Sequence, residues 1–268
     1  MLERQTVALA AVWTALPALE AAVTAAAERL GRGTGRLVYT GAGTSGRLAV
    51  QDGVELVPTF SWPRERLAFV LAGGEAALTA SIEGAEDDEA AARARIADLG
   101  LARADVHIAV AASGTTPFVL AAQAEARVRG ALTIAIANNP GSPLLAAAEH
   151  AVALPTGAEF LAGSTRMVAG TAQKIALNLL STGIMYGLKR VYRGRMVAVV
   201  PTNAKLRARA LRILCELTGA GEEAAAMALK ETGGDVRLAV LRLDGLSLEE
   251  ARRRLAEARG DLRQARGF

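Results

Sequence analysis

Two short segments of the chain combine glycines with hydroxyl side chains, a composition that can hold an anion. The first is GAGTSGR at residues 41–47, and the second is ASGTTP at residues 112–117. Glycine allows the backbone to approach a ligand closely, hydroxyl groups donate hydrogen bonds, and the first amides of a helix have no acceptor within it. Because each segment follows an apolar run and precedes a predicted helix, the two predict a cradle for a phosphate group.

Neither segment matches a nucleotide-binding fingerprint. No Gly-Lys-Ser/Thr follows the first segment, which excludes a P-loop, and no third glycine or strand-ending acid fits a dinucleotide site. An alternative is that the Ser and Thr residues only cap helices and that the glycines only form turns. The occurrence of two such segments at equivalent strand ends favours ligand binding over this alternative.

Three glutamates are candidates for acid–base chemistry. Glu55 is flanked by Val54 and Leu56, and burial there would raise its pKa and suit it to donate a proton. Glu83 and Glu86 lie in the acidic segment IEGAEDD, residues 82–88. The alternative for Glu55 is a surface position on a helix. For the acidic segment the alternatives are a solvated loop beside the next helix and a magnesium-binding cluster.

Residues that commonly bind metals are scarce, so we expect no metal ion. The single cysteine, Cys215, excludes a disulfide scaffold and fits a reducing compartment, which predicts a cytoplasmic protein. His107 falls inside a predicted strand and His150 at a strand entrance. For both histidines, and for Cys215 within a predicted helix, packing is the simpler role.

Five short apolar runs separated by helical stretches must position these residues. The runs are residues 36–40, 67–71, 106–111, 132–137 and 151–154. Nearly continuous apolar runs are typical of parallel strands covered on both faces, so we predict an α/β fold with a doubly wound, five-stranded parallel sheet. Ligands of such sheets bind beyond the carboxyl ends of the strands. The later pattern is all helical, which predicts an α/β domain over residues 1–200 and a small helical domain over residues 201–268.

Composition and charge exclude several classes of protein. Of the 268 residues, 51% are hydrophobic and 22% are charged, which argues against a disordered chain. The net charge is only +4 and basic residues are mixed with acids, so we expect no nucleic-acid partner. Residues 7–27 contain Pro17 and Glu20 and lack the apolar length of a membrane span. We therefore expect no membrane partner, and we predict one amphipathic helix that ends near Gly31.

A second long helical segment, Gly163–Leu188, is largely apolar. On the surface of a monomer this segment would expose a large apolar area. We therefore predict that it is buried between two copies of the chain in a homodimer.

The two hydroxyl-rich segments belong to a longer set of motifs that resembles a known family. The chain is similar to the N-acetylmuramic acid 6-phosphate etherases of the sugar-isomerase superfamily in six motifs that occur in the same order. They are GAGTSGRLAVQDGVELVPTF, LAGGEAALTASIEGAEDD, AASGTTPF, ANNPGSPL, GSTRMVAGTAQKIALNLLSTG and PTNAKLRARA. The resemblance covers most of residues 30–265 and implies a sugar-isomerase, flavodoxin-like fold.

The resemblance also implies a reaction and a set of site residues. The reaction converts N-acetylmuramic acid 6-phosphate and water into N-acetylglucosamine 6-phosphate and D-lactate, a lyase step of peptidoglycan recycling without a cofactor. The catalytic glutamates of the family map onto Glu55, the expected proton donor to lactate, and Glu86, the expected base at C2 or water activator. Glu159 is a further candidate for contact with the sugar. The residues expected to hold the phosphate are Gly43, Thr44, Ser45, Ser113, Gly114, Thr115 and Thr116.

Some positions depart from the family pattern, and other functions fit the same fold. Thr115, Val168 and Ala198 stand where arginine, lysine and aspartate are common, which implies fewer cationic contacts to substrate. One alternative is an aldose–ketose isomerase, which needs no acid aimed at a C3 ether. The other is a non-catalytic regulator that binds a phosphosugar. The presence of both glutamates favours the etherase.

Overall fold

The computed structural model describes residues 1–201 and 203–267, which form two compact units. The first unit comprises Met1–Glu55 and Pro63–Ile184. The second comprises Leu56–Trp62 and the chain from Met185 onwards. The division into domains at residue 200 stays a prediction.

A five-stranded parallel sheet forms the centre of the first unit. Its strands are β1 (Leu37–Gly41), β2 (Leu67–Leu71), β3 (Val106–Val110), β4 (Leu132–Ala137) and β5 (His150–Ala153). They lie in the order β2-β1-β3-β4-β5, and every neighbouring pair is parallel. The predicted fold class is therefore confirmed. Since the strand order reverses between β1 and β3, the crevice for a ligand is expected beyond the carboxyl ends of these two strands.

Helices and short 3₁₀ turns connect and cover the strands. The helices are α1 (Leu2–Thr14), α2 (Leu16–Gly31), α3 (Gly43–Phe60), α4 (Glu89–Asp98), α5 (Pro117–Val128), α6 (Pro143–Ala146) and α7 (Val168–Gly187). The 3₁₀ turns are Arg64–Arg66, Glu75–Leu78 and Ala85–Asp87. The small side chains of α4 and α5 allow close packing against the sheet, and Ala92, Ala122 and Ala126 are fully buried there.

The N-terminal segment is not the single helix that we predicted. It is divided into α1 and α2, whose axes differ by 55°. Pro17 occupies the first turn of α2, where it lacks an amide proton and its ring would clash with the carbonyl four residues earlier in a continuous helix. No single helix among residues 1–201 and 203–267 has the length and apolar character to cross a membrane, although the bent α1–α2 pair passes that test of length and composition.

The second unit is mainly helical, as predicted. Its helices are α8 (Ala204–Thr218), α9 (Glu222–Glu231), α10 (Val236–Leu243), α11 (Leu248–Glu257) and α12 (Leu262–Ala265). A two-stranded antiparallel hairpin, β6 (Val191–Tyr192) and β7 (Arg195–Met196), precedes them and was not predicted. Val236, Val240 and Leu241 are fully buried in the core of this unit. Cys215 is a free thiol on α8 and is partly buried.

The apolar residues of α7 are mostly covered by their own chain. Leu177, Leu180 and Ile184 are fully buried, whereas Leu179 and Tyr186 are exposed. The premise that α7 would leave a large apolar area open in a monomer is therefore wrong. The sequence did not show that other parts of the same chain cover this helix, and the homodimer stays a prediction.

Candidate active site

The first hydroxyl-rich segment forms a tight turn from β1 into α3. Gly43 has a φ of +50°, and the amide of Gly46 donates to the carbonyl of Ala42 at 3.0 Å. A Cβ added to Gly41 would lie 2.6 Å from the Cα of Gly46, so the helix starts directly against the end of the strand. Glycine at these positions is thus required by φ and by close packing. The turn places the first amides of α3 at the predicted crevice.

The second segment forms the turn from β3 into α5. Gly114 has a φ of +69°, and the amide of Thr115 donates to Oγ of Ser113 at 3.2 Å. Thr116 is the N-cap residue of α5, but its side chain makes no capping hydrogen bond, and its Oγ1 lies 3.5 Å from Oγ of Ser113. For Thr116 the capping alternative therefore does not hold. The first amides of α5 lack acceptors within the helix and can bind an anion.

The segment after β4 braces this second turn. Nδ2 of Asn139 donates to the carbonyl of Ser113 at 3.2 Å, and the amide of Leu144 donates to the carbonyl of Gly114 at 3.1 Å. The side chain of Ser142 fills the position that a Cβ on Gly114 would take. These contacts explain the ANNPGSPL motif as a support for the turn.

The two turns leave neighbouring strands at one edge of the sheet. Gly41 at the end of β1 is paired with Val110 at the end of β3. Thr44 is partly exposed and Thr115 is exposed, whereas Ser45 is largely buried. The structure thus brings both predicted phosphate segments to the same end of two neighbouring strands, although binding by each residue stays a prediction.

Glu86 lies beside the first turn. It is exposed on the 3₁₀ turn Ala85–Asp87, and a Cβ added to Gly43 would lie 3.1 Å from its Oε1. A carboxylate at this place can remove a proton from a molecule whose phosphate is held by the turns. The alternative of a solvated loop is correct in that Glu86 is exposed, but it does not account for the position of the carboxylate beside Gly43.

Arg47 anchors the segment that leads to Glu86. Its Nε donates to the carbonyl of Ala77, and its Nη2 donates to the carbonyl of Ala80, both at 2.8 Å. Arg47 was not predicted as a site residue, although it ends the GAGTSGR segment. A charged residue immediately after this glycine- and hydroxyl-rich turn was the signal that could have identified it.

Glu55 is exposed on α3, so the expectation that its apolar neighbours bury it is wrong. Residues that adjoin in a helix point in directions about 100° apart, and only Leu56 of the two flanking residues is buried. Twelve residues separate Glu55 from Gly43, which is about 18 Å along a helix axis at about 1.5 Å per residue. Within one chain, therefore, the structure does not bring Glu55 to Glu86.

The buried carboxylate of this helix is Asp52, which the sequence analysis missed. Its Oδ1 accepts from Nδ2 of Asn178 at 2.7 Å and from Oγ of Ser181 at 3.1 Å, and its Oδ2 accepts from the hydroxyl of Tyr39 at 3.2 Å. Burial raises the pKa of Asp52, and these three donors oppose the rise. Asp52 lies on the same helix face as the buried Ala49 and Leu56, a position at which a charge is unusual. That periodicity could have identified it.

Glu159 caps the start of α7. Its Oε2 accepts from the amide of Val168 at 3.0 Å, and its Oε1 accepts from the amide of Ala169 at 2.9 Å. A carboxylate at a helix N-terminus is stabilised by the helix dipole. Both carboxylate oxygens are therefore engaged in this structure, and contact of Glu159 with a sugar stays a prediction.

The two histidines lie in the sheet and away from the turns in sequence. His107 is fully buried on β3, and its Nε2 lies 2.8 Å from Oγ1 of Thr40. Burial lowers the pKa of His107 to about 3, so its ring is neutral at pH 7. His150 begins β5. Within residues 1–201 and 203–267, no three His, Cys, Asp or Glu side chains are grouped to hold a metal ion.

Comparison with known families and structures agrees with this geometry. Residues 19–126 match the glucokinase regulatory protein N-terminal SIS domain family, and residues 88–182 match the SIS domain family. Among solved structures, the c3406 protein of E. coli CFT073 is 20% identical, with a TM-score of 0.50 over 72% of this chain and 91% of that one. That likeness supports the fold alone.

Curated relatives of much higher identity cover nearly the whole chain. The N-acetylmuramic acid 6-phosphate etherase of Deinococcus radiodurans is 54% identical over 97% of this chain and 85% of its own length. The etherase of Streptomyces avermitilis is 47% identical over 96% of this chain and 82% of its own length. By this identity and coverage, the chain belongs to the N-acetylmuramic acid 6-phosphate etherase family.

Proposed function

We propose that this protein cleaves the D-lactyl ether of N-acetylmuramic acid 6-phosphate to give N-acetylglucosamine 6-phosphate and D-lactate. The observation that carries the proposal is the carboxylate of Glu86 beside the first of two anion-binding turns. This arrangement offers a phosphate cradle and a base in one crevice. The names of the relatives at 47–54% identity support the same substrate.

The proposed chemistry is an elimination followed by addition of water. In the ring-opened sugar, the C2 proton is acidic because it is α to the C1 aldehyde, and the C3 ether oxygen is a β leaving group. Glu86 removes the C2 proton while Glu55 protonates the departing oxygen, so the C3–O bond breaks, the C2–C3 double bond forms and D-lactate leaves. Water then adds its hydroxyl at C3 and a proton at C2. Breaking the C–O bond in this way makes the enzyme a carbon–oxygen lyase.

The position of Glu55 calls for a second copy of the chain. Because Glu55 lies about 18 Å along α3 from the turn beside Glu86, one chain cannot place both carboxylates at adjacent carbons of one sugar. We therefore propose a homodimer in which each site takes its acid from Glu55 of the partner subunit. Exposed apolar side chains on one face of α1, namely Leu2, Leu9 and Trp13, favour self-association. We place the reaction in the cytoplasm, in the recycling of peptidoglycan.

The first test measures D-lactate released from N-acetylmuramic acid 6-phosphate. We expect turnover by the wild type and at least a thousand-fold loss in Glu55→Gln and in Glu86→Gln. Glu83→Gln is the matched control, because Glu83 is an exposed acid on the same segment and should be dispensable. Loss of turnover in the control equal to that in Glu86→Gln would contradict the role of Glu86.

Mixing the two inactive variants tests the shared site. If subunits exchange, about half of the dimers are mixed and each has one site with both glutamates, so about a quarter of wild-type activity should return. No recovery after verified exchange would show that the two glutamates act within one chain or that they do not act as a pair.

A non-catalytic phosphosugar-binding regulator is the second candidate function. The match of residues 19–126 to the glucokinase regulatory protein SIS domain favours it. Calorimetric binding of the phosphosugar without release of lactate would support this candidate and reject the etherase. An aldose–ketose isomerase would instead convert a phosphosugar aldehyde into a ketone, which an isomerase assay would detect.

A further inference from the structure

Three arginines line one cavity at the amino end of the sheet, the end opposite to the two turns. Arg29 lies in the last turn of α2, Arg127 lies in the last turn of α5, and Arg103 precedes β3. Together with Gly130, Ala131 and Glu149, they line a cavity of about 400 Å³. Topology separates this cavity from the carboxyl-end crevice, since each parallel strand runs from one end to the other.

Backbone carbonyls hold two of these side chains over the cavity. Nη1 of Arg29 donates to the carbonyls of Arg103 and Gly130, and Nη1 of Arg127 donates to the carbonyl of Ala147 at 3.2 Å. These acceptors are neutral, so they orient the guanidinium groups without cancelling their charge. Each guanidinium has further N–H groups for another partner.

Carboxylates offset only part of the charge of this cluster. Among residues 1–201 and 203–267, none of the three arginines forms an ion pair within 4.0 Å. Glu149 is the one acid in the lining, and its Oε1 already accepts from the amide of Thr133 at 3.1 Å. The lining therefore has a formal charge of +2.

Favourable contacts with helix dipoles do not account for the whole cluster. Arg29 and Arg127 lie in the last turns of helices, where a cation is stabilised by the carbonyl end of the dipole. Arg103 is exposed in a loop and has no such role. The lining thus holds three arginines and a single acid, Glu149, and this excess of positive charge is unfavourable unless an anion binds there.

We propose that this arginine cavity, lined by Arg29, Arg103 and Arg127, is a second binding site for a small molecule that bears phosphate groups. Guanidinium groups form paired N–H···O bonds with phosphate oxygens, and converging arginines favour a multiply charged anion. A volume of about 400 Å³ accommodates a diphosphate or a phosphorylated metabolite. This site is independent of the proposed etherase reaction.

Calorimetric titration with inorganic pyrophosphate tests the proposal. The background is Ser113→Ala with Thr116→Val, which weakens anion binding at the turns and leaves the arginine cavity intact. We expect one binding event per chain in this background. The double variant Arg103→Gln with Arg127→Gln should raise the Kd for pyrophosphate at least tenfold. A higher salt concentration should raise this Kd further. Arg103→Gln alone provides a milder second variant, because the side chain of Arg103 makes no hydrogen bond to residues 1–201 or 203–267.

Arg252→Gln is the matched control, because Arg252 is an exposed arginine on α11 outside the cavity. The control should change Kd less than twofold, and the cavity variants in the otherwise native chain should release lactate at the wild-type rate. Equal weakening by Arg252→Gln, or no binding of pyrophosphate at 1 mM, would overturn the proposal. Preferential binding to phosphatidylglycerol vesicles, or a change of oligomeric state in the cavity variants, would also overturn it by identifying a membrane or a second copy as the partner.

Discussion

The starts and the ends of strands β1 and β3 arrange their polar groups in opposite ways. At the amino end, the side chain of Asp105 is almost fully buried and each of its oxygens accepts two hydrogen bonds. At the carboxyl end, Thr116 leaves the first amides of α5 uncapped and Gly43 has a positive φ. The first arrangement stabilises the chain, whereas the second leaves polar groups available to a ligand.

The contacts at the start of these strands set the register that positions the two turns. Arg36 precedes β1 and Asp105 precedes β3, so their ion pair fixes two neighbouring strands at their start. The register set there places Gly41 beside Val110 at the far end, where the two turns begin. The ordered contacts at the start of these strands therefore help to position the two turns at their other end. Substitutions at the two ends should accordingly affect different properties.

The largest effect is expected for Asp105→Ala. Burial opposes ionisation of Asp105, but hydrogen bonds from Arg36 and from backbone amides lower its pKa. Removal of the carboxylate leaves Arg36 and two amides without their acceptor, so the free energy of unfolding should fall by about 3 kcal/mol. Urea unfolding measures this change. Asp98→Ala, at an exposed residue, should change it by less than about 0.5 kcal/mol.

The comparison predicts that Asp105→Ala leaves the KM of the remaining folded protein unchanged. A large rise in KM without loss of stability would contradict the division of roles between the two ends.

His107, in the middle of β3, should make stability depend on pH. Burial lowers its pKa to about 3 in the folded chain, whereas an unfolded chain has a value near 6.5. The unfolded state thus binds the proton first, and the contribution of the neutral ring is lost as the pH falls from about 6.5 towards 3. Between pH 6.5 and pH 4.5 the loss should be about 2 kcal/mol, because the slope rises towards about 1.4 kcal/mol per pH unit as the unfolded histidine becomes protonated.

Unfolding of His107→Gln checks this assignment. The variant should have a flatter pH dependence between pH 4.5 and pH 6.5 than the wild type. An unchanged slope would assign the titration to other groups. The pH window separates it from Asp105, whose lowered pKa makes its contribution disappear only below about pH 3.8.

The sequence was sufficient for the sheet and for the two turns. The strands were visible because runs such as LTIAIA at residues 132–137 are apolar on both faces, a pattern that a buried parallel strand requires. The turns could be predicted because glycines and hydroxyl residues directly after an apolar run favour a ligand-binding turn at the end of a strand. The hairpin β6–β7 was missed because its strands have only two residues each and give no measurable alternation.

The sequence was insufficient where the outcome depends on tertiary packing. Glu55 and Asp52 are on the same helix, and only their angular positions decide that Glu55 is exposed and Asp52 is buried. Helical periodicity contains that information, but adjacency in sequence does not. The covering of α7 by its own chain depends on distant segments, which local patterns do not report.

At the carboxyl end, the pair Ser113→Ala and Thr116→Val should weaken binding without unfolding the chain. Loss of the two hydroxyl groups that we propose to bind the phosphate should raise the KM for the phosphosugar about 30-fold, which corresponds to about 2 kcal/mol. Within the part of the chain that the structure describes, the hydrogen bonds removed are the 3.5 Å contact between the hydroxyls and the bond to the amide of Thr115, so the thermal midpoint should change little. Steady-state kinetics measure KM, and scanning calorimetry measures the thermal midpoint of unfolding. Thr182→Val, at an exposed residue of α7, is the control and should leave both unchanged.

Arg47→Met should produce a smaller and more selective effect at the same end. Arg47 does not carry the proposed chemistry, but its two bonds to the carbonyls of Ala77 and Ala80 hold the segment that leads to Glu86. Looser placement of Glu86 should lower kcat about tenfold, while KM stays within about twofold because the phosphate turns are intact. Arg47→Lys should recover part of kcat, since an ammonium can reach one of the two carbonyls. A loss confined to thermal stability, with kcat unchanged, would mean that Arg47 supports the fold and does not position the base.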